Sequence, residues 1–208
     1  MPIFDQGYQH WQGELSGHGW RWLTITRRGV RAQMKNRLTR FAMLVAWGPA
    51  IGLASVLIIW GLFEQKSSLV APLMGIFRSL PPELQVEPRA YRATVWTIAY
   101  QYFFQVQVFF SMILVLLVGP NLISQDLRFN AMPLYFSRPL RRIDYFLGKL
   151  GVIGYFLGMV LIVPSMVGYV LGLLFSMDIS ILVDTFPILL ASTAYGAVMT
   201  LSAGLLML

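Results

Sequence analysis

The residues that could do chemistry in this chain are few, and their types exclude most catalytic sites. There are no cysteines, and both histidines, His10 and His18, lie near the N-terminus. A zinc site or a nucleophile activated by histidine therefore has almost nothing to be built from. The sequence contains neither an HExxH motif nor a phosphate-binding GxxxxGK[ST] loop. We therefore expect no metal site, no bound cofactor and no enzyme activity of the chain by itself.

Two glutamines stand out in a stretch without charged or histidine residues that runs from Ala93 to Gln125. Gln101 and Gln105 lie one helical turn apart on one face, and Gln107 falls on another face. Amide side chains in hydrocarbon need hydrogen-bonding partners, so they turn toward other helices or toward water. One interpretation is that Gln101 and Gln105 line a translocation path. The other is that they form hydrogen bonds between helices.

A polar stretch at 124–149 carries an unusual apolar patch. Leu134, Tyr135 and Phe136 lie between charged flanks, and Pro139 ends any short helix before it, because a residue that precedes proline disfavours helical geometry. A short apolar helix outside the bilayer needs a protein partner to cover it. Alternatively, the stretch rests on lipid headgroups. The residues alone leave both interpretations open.

Membrane-spanning helices must position these residues. Hydrophobic residues make up 57% of the 208 residues and charged residues only 12%, whereas a soluble domain carries about twice that charged fraction. The hydrophobic residues gather in four long runs, and each run exceeds the roughly 20 helical residues that cross the hydrocarbon core. The chain is therefore predicted to be an all-α integral membrane protein with about four transmembrane helices. The predicted spans lie at about 41–63, 96–123, 150–175 and 185–208.

The basic residues predict an orientation. Twelve of the 16 Lys and Arg residues precede the first span or lie between the second and third, and four lie in the loop between the first two spans. The positive-inside rule places the N-terminus and the second connection in the cytoplasm. We expect the membrane to be the plasma (inner) membrane. The orientation of the spans then explains the net charge of +7, and we expect no nucleic-acid partner.

Residues 1–40 form a predicted cytoplasmic tail that ends in an interfacial amphipathic helix over Trp20 to Arg40. Its apolar stripe contains Trp20, Leu23, Val30, Met34, Leu38 and Phe41. Arg27 falls within this stripe and must extend its charge outward. The alternative is an ordinary basic flank of the first span.

Small residues and prolines recur within the transmembrane domain at 41–208. Glycines four residues apart let another helix approach closely, as on a dimer face, and prolines interrupt helical hydrogen bonding. The glycine pairs are Gly48 and Gly52, Gly154 and Gly158, and Gly168 and Gly172; the prolines are Pro49, Pro164 and Pro187.

The segment at 124–149 resembles the permease subunits of type-two ATP-binding-cassette exporters. Between its second and third spans that family has an acidic residue shortly after an Ile-Ser pair, then a Leu-Tyr-Leu-Ser-Arg-Pro-like stretch, then a hydrophobic-Gly-Lys entry into the next helix. The matching residues are Ile123, Ser124, Asp126, Leu134, Tyr135, Ser137, Arg138, Pro139, Tyr145, Gly148 and Lys149. The match covers about 30 residues of the printed sequence.

The resemblance implies that this segment is a coupling helix that seats on a separate ATPase subunit, where ATP and Mg²⁺ are bound. It also implies a dimer with a second permease copy or a homologue, in which the translocation path lies at the interface between the two permeases. The implied ATPase contacts are Asp126, Arg128, Leu134, Tyr135, Phe136, Ser137, Arg138 and Pro139.

Two departures from the family pattern matter. The family usually has six spans, so we expect these four to be part of a shortened or partial permease. Pro133 stands where many relatives carry a carboxylate, so that contact does not transfer. The alternative function is a non-transporting membrane scaffold or assembly factor.

Overall fold

The computed structural model describes residues 20–65, 67–70, 72, 91–130, 141–176 and 180–207, and all six α-helices in this part of the chain lie in one bundle. The helices are α1 (Arg21–Met34), α2 (Arg37–Ala46), α3 (Gly48–Glu64), α4 (Arg92–Arg128), α5 (Arg142–Ser176) and α6 (Ser180–Met207). A short 3-10 helix at Ser68–Val70 follows α3. The described residues contain no β-strand, so the prediction of an all-α protein is confirmed.

Within the described residues, four helical segments are long and apolar enough to cross a membrane: Arg37–Glu64, Arg92–Leu122, Arg142–Ser176 and Ser180–Met207. This confirms the prediction of a multi-pass membrane protein. The helices extend beyond the predicted spans, since α5 begins eight residues before 150. The cause is that the first charged residue marks the edge of the lipid, whereas backbone hydrogen bonds continue the helix into the polar region.

The first span consists of α2 and α3, which meet at Trp47. Pro49 lacks an N–H group and cannot donate to the carbonyl of Val45, so the regular hydrogen-bond ladder stops there. Instead, the N–H of Ala50 donates to the Trp47 carbonyl at 3.1 Å in a tighter turn. Pro164 and Pro187 lie inside α5 and α6, which continue through them.

Helix α5 is the centre of the bundle and packs against α1, α3, α4 and α6. Aromatic rings fill the space between it and α4. Trp96 and Tyr169 meet edge to face, with ring centroids 5.5 Å apart. A methyl group at Gly172 would lie 2.6 Å from Trp96 Cη2, so this position accepts the indole only because it is glycine.

The three glycine pairs have different neighbours. Gly168 and Gly172 receive Leu53 and Trp96 of the same chain, so this pair is used within one copy and not for a dimer face. Around Gly48 and Gly52, by contrast, no atom of the described residues outside their own stretch of helix lies within 4 Å of the position a methyl group would take.

Helix α1 lies against α5 through small residues on both helices. A methyl group at Gly29 would lie 2.6 Å from Val152 Cγ2, and one at Gly148 would lie 2.7 Å from Ile25 Cβ. The members of the predicted apolar stripe of this segment fall into two groups. Val30 and Met34 pack against the core, whereas the remaining members are exposed: Trp20, Leu23, Leu38 and Phe41.

Candidate functional site

Two helices are joined by charged and polar groups at the end of the bundle that carries most basic residues, here called the basic end. Lys149 Nζ lies 2.6 Å from Asp126 Oδ2, and the Tyr145 hydroxyl donates to the same oxygen at 2.7 Å. Lys149 also donates to the Leu122 carbonyl. We call Asp126, Tyr145 and Lys149 the basic-end cluster. It connects the last turns of α4 to the first turns of α5.

The helical repeat explains why these residues meet. Tyr145 and Lys149 are four residues apart on α5, as are Leu122 and Asp126 on α4, so each pair presents two groups on one face. The side chains of Lys149 and Asp126 are only 12% and 15% exposed. Lys149 Nζ also lies 5.4 Å from the centroid of the Tyr145 ring, which adds a cation–π contact.

The basic-end cluster lies at the base of the connection that the sequence singled out. Arg128 ends α4 and is exposed, as is Phe129, and Asn130 adopts a positive φ of 47°. Asparagine tolerates this left-handed conformation at the end of a helix, and the chain turns there. The remaining predicted ATPase contacts lie outside the described residues: Leu134, Tyr135, Phe136, Ser137, Arg138 and Pro139.

Helix α1 is attached to the same end of α5. The Thr26 hydroxyl donates to the Gly148 carbonyl at 3.0 Å and to the Trp22 carbonyl at 3.1 Å. Gly148 comes directly before Lys149, so α1 and the basic-end cluster hold neighbouring residues of α5. Helices α1, α4 and α5 are therefore joined to one another at the basic end.

Gln107 is fully buried in the middle of the second span and connects two interrupted helices. Its Nε2 donates to the carbonyl of Ala46 at 2.9 Å and to that of Val160 at 2.8 Å. Ala46 is the last residue of α2 before the break. Val160 lies four residues before Pro164, so its carbonyl has no helical N–H partner. One amide thus satisfies two carbonyls that the breaks leave without their usual donors.

Gln101 and Gln105, the predicted path residues, are both exposed on the outer face of α4. They are not brought together with Asp126 or Arg128, which lie at the basic end. Beside them, α3 and α4 enclose an apolar groove of about 510 Å³. Its wall includes Gly52 and Tyr102, whose side chain is 66% exposed.

At the opposite end of the bundle, Arg92 binds residues of the first and fourth spans. It donates to the Glu64 carboxylate at 2.8, 2.9 and 3.2 Å. It also donates to Asp184 Oδ2 at 3.1 Å and to the Ser180 hydroxyl at 3.0 Å. The hydroxyl of Ser176, at the end of α5, donates to Glu64 at 3.2 Å. We call Glu64, Arg92 and Asp184 the opposite-end cluster.

Sequence reasoning missed both Gln107 and the opposite-end cluster. Arg92 was counted only as a loop charge, although Glu64, Arg92 and Asp184 each border an apolar run on one predicted side of the membrane. This shared position at the same side of the membrane is the sequence pattern that could have predicted the opposite-end cluster. The sequence signal for Gln107 is weaker, because only the packing of the helices shows that its amide lies level with the carbonyls of Ala46 and Val160.

No protein-family model, no curated protein and no solved structure matches this chain.

Proposed function

We propose that this chain is a permease subunit of an ATP-driven transporter of the exporter type, and that a separate ATPase subunit binds ATP and Mg²⁺. One observation carries the proposal. The motif residues Asp126, Tyr145 and Lys149, separated by up to 23 positions in sequence, form one cluster at the base of the connection between the second and third spans. A loop that only joined two spans would need no such attachment.

In the proposed mechanism the ATPase docks on the connection in the cytoplasm of the plasma membrane. Two members of the docking set are described: Arg128 is exposed at the end of α4, and Asp126 pairs with Lys149. When the ATPase closes on ATP, it displaces the connection. Because the Asp126–Lys149 ion pair resists separation of the helix ends, α4 and α5 move as a pair instead of stretching the loop.

A second copy of the permease, or a homologue, completes the proposed path. Gln101 and Gln105 face away from their own chain, and exposed amides in hydrocarbon require a partner or water. An amide both donates and accepts, so the same face of two copies is self-complementary about a two-fold axis. The nearby Gly48 and Gly52 leave room for close helix approach.

Co-purification in mild detergent tests ATPase docking. Replacing Tyr135 and Arg138 with Ala should abolish recovery of the ATPase, while the amount of inserted permease stays the same. The matched control replaces Phe41 and Lys35 with Ala, which also removes one aromatic and one basic residue from the basic end. Equal ATPase recovery from both variants would contradict the proposal, and a stable complex without any ATPase would favour the scaffold.

Labelling of a single introduced cysteine tests the orientation. The chain contains no cysteine, so Ser137→Cys introduces one reactive thiol into it. A membrane-impermeant maleimide should react with this thiol only after the cells are opened. Labelling in intact cells would place the connection outside and overturn the docking mechanism.

A further inference from the structure

The exposed face of α1 carries a group of three arginines. Arg27, Arg28 and Arg31 border a cavity of about 220 Å³ together with Thr24 and Leu23. Within the described part of the chain, none of these three guanidinium groups has an acidic partner. Residues 20–46 contain no Asp or Glu at all. Three like charges within about one helical turn repel one another unless an anion lies between them.

The position of α1 indicates where that anion comes from. The opposite face of α1 contacts Gly148, Gly151 and Val152, which lie where the apolar run of the third span begins. Helix α1 therefore lies at the depth where hydrocarbon gives way to headgroups. Trp20, 70% exposed, stacks near Trp22 with ring centroids 6.4 Å apart, and such aromatic residues are enriched at this depth.

We propose that Arg27, Arg28 and Arg31 form a binding site for the phosphate of an anionic phospholipid. A guanidinium group presents parallel N–H donors that match two phosphate oxygens, and the Thr24 hydroxyl adds a further donor. The exposed side chain of Leu23 lies beside the acyl chains. The site holds α1 at the membrane surface from one side while α5 holds it from the other. It does not depend on the proposed transport function.

Native mass spectrometry of the full chain in detergent tests the site with two lipids. Dioleoyl phosphatidylglycerol should bind, and dioleoyl phosphatidylcholine should bind far more weakly. Replacing Arg27, Arg28 and Arg31 with Gln should lower the affinity for phosphatidylglycerol roughly 100-fold. The reason is that each arginine contributes about one charge interaction with an anionic membrane surface. Replacing the same three with Lys keeps the charge but loses the paired donors, and should lower it about tenfold.

The matched control replaces Lys35, Arg37 and Arg40 with Gln, which removes three exposed charges from the neighbouring turns. This variant should stay within a factor of about three of the parent protein, because these charges lie outside the cavity. Equal weakening by both Gln variants would show diffuse attraction and overturn the site. The Lys variant, which keeps every charge, decides the question if the Gln variant does not fold. Binding of inorganic phosphate as tight as that of the lipid would overturn the assignment to phospholipid.

Discussion

The two charged clusters at the ends of this bundle are built differently. The opposite-end cluster buries Arg92 and Glu64 to 3% and 4% exposure and ties together residues from all four spans. The basic-end cluster joins only α4 and α5, and its ion pair is three to four times more exposed. Paired charges that are deeply buried cannot separate cheaply, whereas water can replace a partner at the basic end. Breaking the ion pair should therefore cost more at the opposite end than at the basic end.

Removing Arg92 should have the largest effect on stability. In Arg92→Gln, Glu64 keeps a buried carboxylate without its cation, which costs about 3–5 kcal/mol of unfolding free energy. The measurement is the thermal unfolding midpoint in detergent. The control combines Arg92→Gln with Glu64→Gln, which removes both charges and should recover much of the loss. A double variant as unstable as the single one would show that the ion pair is not the cause.

Replacing Gln107 should come second and extends the comparison to the middle of the bundle. Gln107→Leu leaves the carbonyls of Ala46 and Val160 unpaired, at about 1–3 kcal/mol for two interhelical hydrogen bonds. Pro164→Ala returns an N–H to the Val160 carbonyl, so the double variant should regain part of the lost stability. No recovery in a double-mutant cycle of unfolding midpoints would refute the role assigned to Gln107.

Breaking the basic-end ion pair should cost less than breaking the one at Arg92. Lys149→Gln should lower stability by about 1–2 kcal/mol, because partial exposure lets water solvate Asp126. Exchanging the charges, with Asp126→Lys and Lys149→Asp, should restore part of the loss in the same unfolding assay. A Lys149 variant as unstable as Arg92→Gln would remove the difference between the two ends.

The smallest effect is expected within the opposite-end cluster itself. Asp184 is 52% exposed, so Asp184→Asn should change the unfolding free energy by less than about 1 kcal/mol. Measuring the unfolding free energy at several salt concentrations distinguishes the two carboxylates that Arg92 binds. The Arg92–Asp184 contribution should fade at high ionic strength, and the Arg92–Glu64 contribution should persist.

The spans could be predicted from the sequence, but the clusters largely could not. The bilayer is a uniform apolar solvent, so an apolar run such as 150–175 can be assigned to the membrane from its own residues, whichever helices pack against it. Asp126, Tyr145 and Lys149 were recognised as motif residues, yet nothing in their spacing showed that they touch. Gln101 and Gln105 drew attention because they form a pair, whereas the fully buried amide is Gln107. Which face of a helix is covered depends on packing between segments distant in the chain.

The double hydrogen bond of Gln107 joins three spans that are synthesised one after another. Ala46 and Gln107 leave the ribosome before Val160, so the amide of the second span has only one of its two acceptors until the third span is made. The pair of hydrogen bonds is therefore complete only when the first three spans have been inserted and packed.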